Sequence, residues 1–78
     1  MDSTELYSFL TYELDNYSES DIMYIYNIIL ESWDKNYLLD GADVAELINE
    51  IYVNYALADE RVVDCFFVDR LSDVIFGY

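Results

Sequence analysis

With no proline and with glycine only at positions 41 and 77, this 78-residue chain has little besides side-chain caps to mark where its elements start and stop. Asp2 or Ser3 can accept from the free N–H groups of a first helix, and Glu5 follows Asp2 at capping-box spacing. Leu6, Phe9, Leu10 and Leu14 then share one face at helical spacing, which predicts a helix over residues 4–15. Residues 16–20 are a polar break, after which Ser18 or Ser20 can cap a second segment over residues 21–33. Its apolar positions Ile22, Ile25, Ile29 and Trp33 run beyond the length of a typical strand, so this segment is expected to be the central, most buried helix.

Residues 34–41 read as a turn, with Asp40 placed to cap a third helix and Asp43 at its third helical position. Val44, Leu47, Ile48, Ile51 and Tyr55 form its apolar stripe, opposite Asp43, Glu46, Glu50 and Asn54. A last helix is predicted to begin near Asp59 and to turn Val62, Val63, Phe66, Phe67, Leu71, Val74 and Ile75 inward, with Gly77 ending it. The expected fold is all-α, a single acidic domain over residues 1–78 built as a compact bundle of three to four short helices. The alternative is a small α+β domain with a strand at residues 24–30 or 64–68.

That bundle must tolerate an unusual charge. Seventeen Asp and Glu oppose three Lys and Arg with no His, a formal charge of −14 at pH 7. Self-repulsion on this scale destabilises a compact state unless the field is used on a partner or screened. A chain of this length should be about 30 Å across, and duplex DNA of that length carries roughly 17 or 18 charges. To a basic groove the chain therefore resembles a short piece of duplex in linear charge. The acids run from Asp2 to Asp73 through a sequence that is 55% hydrophobic and 18% aromatic, unlike a disordered acidic tail. So short a chain buries only about 60% of its unfolded surface, which leaves several of the nine Tyr partly exposed and available to an interface.

Chemistry is narrowed by what is missing. Without His there is no Ser–His–Asp or Cys–His nucleophile system and no zinc site of the Cys and His kind. The acid-flanked Cys65 reads as a structural thiol, and its solitude points to a reducing compartment, the cytoplasm of a host cell. From Asp34 the segment superficially suggests an EF-hand, but Leu38, Leu39 and Ala45 stand where the fifth ligand, the turn glycine and the twelfth-position Glu belong. Two glycines cannot form a phosphate cradle. The N-terminus lacks the basic region of a signal peptide, and the uncharged run at residues 22–30 is too short to span a bilayer. Lys35, Arg61 and Arg70 cannot make a nucleic-acid patch, and Arg61 and Arg70 are expected to pair with Asp64, Asp69 or Asp73. No catalytic residue, metal or cofactor is assigned, and neither direct nucleic-acid binding nor membrane association is expected.

The acidic stripes remain. Asp43, Glu46 and Glu50 follow helical offsets of three and four, each step rising about 4.5 to 6 Å. Glu60 with Asp64, and Asp69 with Asp73, add like-charged i,i+4 pairs that Lys could have relieved. Tyr12, Tyr17 and Tyr37, beside polar turns, are the candidate aromatic contacts.

In size, acidity and Tyr content the chain resembles the small acidic phage proteins that mimic DNA, among them antirestriction proteins, uracil-glycosylase inhibitors and many anti-CRISPR proteins. The resemblance implies a viral inhibitor that blocks the basic nucleic-acid-binding groove of a target protein. A CRISPR effector is the first target it suggests, and a restriction or DNA-repair enzyme the second. From a different class, an acidic homodimeric or antitoxin-like interaction module would use the charge for solubility. A halophile protein is a third reading, against which the abundance of Ile, Phe and Tyr speaks.

Overall fold

The computed structural model describes residues 3–55 and 65–77, which form four helices: α1 (Ser3–Glu13), α2 (Glu19–Asp34), α3 (Gly41–Tyr55) and α4 (Cys65–Phe76). The fold is an all-α bundle with no strand among the described residues, and both segments considered as strands are helical where described. The radius of gyration is 11.2 Å and the body measures 26 × 24 × 22 Å. The start of the last helix near Asp59, and the expectations at Asp2, Glu60, Arg61, Val62, Val63 and Asp64, lie outside the described residues. So do those for the side chains of Asn54, Tyr55 and Cys65.

Each helix gives one apolar row to a shared core. Leu6 and Leu10 come from α1, Ile22, Ile25 and Ile29 from α2, Val44, Ile48 and Ile51 from α3, and Phe67, Leu71 and Ile75 from α4. Leu14 and Leu38, from the first two connections, are buried with them. The principal packing runs α2 on α1, α1 on α4 and α4 on α3. Thus, among the described residues, α2 is not the central helix: α1 and α4 each pack mainly on two others, whereas α2 packs mainly on α1. Only the row Ile22, Ile25 and Ile29 of α2 is buried, and Met23 and Tyr24, turned off that row by the helix repeat, remain exposed.

Phe66 departs from expectation in the same way. Successive helical residues point about 100° apart, and with Phe67, Leu71 and Ile75 buried, Phe66 is turned outward and 67% exposed. Phe67 packs against Phe9 at 5.6 Å between ring centroids, and Trp33 meets Phe76 at 5.9 Å, tying α2 to the end of α4.

The caps act largely where the sequence puts them. Ser18 accepts a hydrogen bond from the Asp21 N–H at 3.2 Å and starts α2. Gly77, at φ 75°, ends α4, its N–H donating to the Asp73 carbonyl at 2.9 Å. At the end of α2 the Asn36 N–H donates to the Trp33 carbonyl and the Tyr37 N–H to the Ser32 carbonyl, the pair of bonds that defines a Schellman motif. Asn36 takes the left-handed conformation this requires, φ 60°.

Ion pairs flank the bundle among the described residues. Lys35 donates to Glu31 at 2.7 Å, and this hydrogen bond, with the attraction of the charges, holds Glu31 below the usual carboxylate range and raises Lys35. Any stability from Glu31 is therefore lost as pH falls through its lowered pKa, and any from Lys35 as pH rises through its raised one. Both groups are exposed, so the pair contributes little. Arg70 grips Glu13 through both Nε, at 2.7 Å, and Nη2, at 2.9 Å. This bidentate contact joins α4 to the end of α1, a partner that spacing along α4 could not reveal.

Asn36→Gly should raise the unfolding free energy by a few tenths of a kcal/mol and Asn36→Val lower it by about 1 to 2 kcal/mol in urea titrations. Ser72 is buried with no hydrogen-bond partner for its hydroxyl among the described residues. Ser72→Ala should therefore stabilise by up to about 1 kcal/mol, read as a higher thermal midpoint.

Candidate functional site

The connection between α2 and α3 places the most concentrated candidate residues. After the Schellman turn, Leu38 drops into the core while Tyr37 and Leu39 stay exposed. Asp40 then caps α3, its Oδ1 accepting from the Asp43 N–H at 3.1 Å. Asp43 answers by accepting from the Leu39 N–H through Oδ2 at 2.9 Å. This reciprocal arrangement is a capping box displaced by one residue. It swings Tyr37 beside the outward face of α3.

The result is a shallow groove of about 190 Å³ lined by Ser32, Tyr37, Leu38, Asp43, Glu46, Leu47 and Glu50. Leu38 is buried and Leu47 half-buried, so its floor is apolar, whereas Glu46 and Glu50 stand exposed one helical turn apart. Asp43, Glu46 and Glu50 thus share this groove with Tyr37, a juxtaposition that spacing along the chain does not indicate. Ser32, Leu38 and Leu47 carry no site signal in the sequence, and Leu47, expected in the apolar stripe of α3, packs partly against the core.

The remaining candidates are dispersed. Asp69 and Asp73 lie exposed on α4, outside this groove. Tyr12 is 81% exposed on α1. Tyr17 is corrected: it is half-buried against the core with its hydroxyl inside, in a turn after α1 closed by its N–H donating to the Leu14 carbonyl at 3.0 Å. It helps line a second hollow with Tyr7, Thr11, Asp15, Glu19 and Ile22.

Charge compensation is sparse. The two described basic residues are engaged elsewhere, Lys35 with Glu31 and Arg70 with Glu13, and neither reaches the α3 acids. Among the described residues no group of three or more His, Cys, Asp or Glu is arranged to hold a metal ion. No helix is long and apolar enough to cross a membrane among those residues. The class that fold and groove define is a small acidic four-helix protein with a carboxylate-rimmed, apolar-floored surface hollow. Comparison with protein-family models, curated sequences and solved structures finds no match.

The acids of the stripe divide into two kinds. Asp43 is half-buried and committed to the Leu39 N–H, whereas Glu46 and Glu50 repel each other in solvent. Asp43→Ala should therefore cost about 1 kcal/mol of stability through the lost bond. Glu46→Gln should be neutral or stabilising by a few tenths, a split that paired urea titrations will show.

Proposed function

We propose that this chain is an inhibitor that occupies the basic nucleic-acid-binding groove of a target protein in place of nucleic acid. The supporting observation is dense, outward and sparsely compensated acid on a small packed body. Its longest dimension is 26 Å and its formal charge −14, while duplex DNA of that length carries roughly 15 charges. Glu46 and Glu50 on α3, and Asp69 and Asp73 on α4, project into solvent on rigid helices and would stand in for phosphates against Lys and Arg of the target. Exposed Tyr12 and Tyr37 would add contact area. The field would speed encounter and make binding sensitive to salt. On the resemblance to phage inhibitors, a CRISPR effector is the first target class and a restriction or repair enzyme the second.

One observation favours a different reading. The exposed positions of α2 between Ile22 and Leu30 are Met23, Tyr24 and Asn27, all uncharged. Two copies could meet there without opposing like charges, as an acidic homodimer would require. A mass measurement in solution separates a dimer from a monomer.

The test of mimicry is capture on immobilised protein from a bacterial lysate, salt-gradient elution, and competition of the captured target with labelled duplex DNA. Affinity should fall roughly tenfold or more from low to physiological salt, and duplex DNA should displace the chain. Glu46→Lys with Glu50→Lys should weaken binding far more than Asp2→Lys with Glu5→Lys. Affinity indifferent to salt, or binding that DNA does not oppose, sinks the proposal.

A further inference from the structure

A field of carboxylates would bind any cation, but the groove between the end of α2 and the face of α3 has a shape as well. Its floor is the side chains of Leu38 and Leu47, its rim carries Glu46 and Glu50, and the 65% exposed Tyr37 stands beside it. At about 190 Å³ it is smaller than the pockets that hold small molecules, which run from roughly 300 to 1,000 Å³. Those dimensions suit one long side chain. Of the two described basic residues, Lys35 near Tyr37 is held on Glu31 at 2.7 Å and Arg70 on Glu13 at 2.7 Å.

We propose that this groove receives one arginine side chain from the basic partner, anchoring it at a fixed point on α3. This rests on the inhibitor reading above and adds to it a socket and a register. The charge complementarity is plain: two exposed carboxylates of a −14 chain face a partner defined by its basic groove. The methylene stem of the arginine covers Leu38 and Leu47. Its guanidinium reaches Glu46 or Glu50, with the Tyr37 ring as a stacking face. Arginine fits better than lysine because its planar head can both fork to a carboxylate and lie on an aromatic ring. Asp43 shapes the wall, with Oδ2 already held by the Leu39 N–H at 2.9 Å.

The experiment is a titration of the isotope-labelled full chain with a poly-arginine peptide at low ionic strength, followed by NMR. Chemical-shift changes should concentrate on Ser32, Tyr37, Leu38 and Leu47. Glu46→Gln with Glu50→Gln should weaken the peptide roughly tenfold. Tyr37→Ala, at an exposed position where folding is spared, should weaken it roughly threefold. Asp69→Asn with Asp73→Asn removes the same charge from α4 and should cost less than about twofold. A poly-lysine peptide of equal length should bind more weakly. Shifts spread evenly over all acidic faces, equal losses from the two charge pairs, or equal binding of poly-lysine overturn the arginine socket. The inhibitor reading has its own point of failure, the loss of competition between the chain and duplex DNA for the captured target.

Discussion

The structure depends on one opposition: an apolar core shared by four short helices, holding against the mutual repulsion of a large negative charge. Charges on a body 26 × 24 × 22 Å in size lie within a few Debye lengths of one another. No helix could bury its apolar row alone, and each needs at least one of the others. The order α2, α1, α4, α3 in the packing gives α1 and α4 two partners each, so Leu6, Leu10, Phe67 and Leu71 lie at the middle of the assembly. The bidentate contact of Arg70 with Glu13 joins the same two helices. One of the few positive charges is thereby used where the fold closes.

The connection from α2 to α3 serves both the fold and the candidate site. Its left-handed Asn36 stops one helix, Asp40 and Asp43 start the next, and between them Leu38 is buried while Tyr37 is presented to solvent. A few backbone hydrogen bonds thus decide which side of α3 gains an aromatic neighbour. The groove is a by-product of good capping: the same local chemistry that makes α3 begin at Gly41 sets Tyr37 and Leu38 beside its acids.

Much of this was legible in the sequence because it is local. The apolar periodicities of α1, α2 and α3, the Ser18 and Asp40 caps and the terminating Gly77 all rest on spacings of a few residues, where the helix repeat dictates what is a neighbour of what. Even the union of Asp43, Glu46 and Glu50 needed only that repeat. The errors have one origin. α2 looked central, Phe66 looked inward and Tyr17 looked exposed because hydrophobicity and polar flanks say how much a residue would gain from burial, and not whether a neighbour is there to bury it.

By itself, then, the sequence determined that the chain is helical, where most of its helices begin and end, and that its charge is overwhelmingly negative and carried on helical faces. Only the tertiary structure decided that α1 and α4 lie at the centre, that Arg70 reaches Glu13, and that Ser32, Leu38 and Leu47 line a groove beside Tyr37. The division is physical. Helix formation and capping are settled within a turn or two of chain, whereas burial and the assembly of a surface hollow depend on which distant segments arrive, and a one-dimensional pattern carries no distance between them.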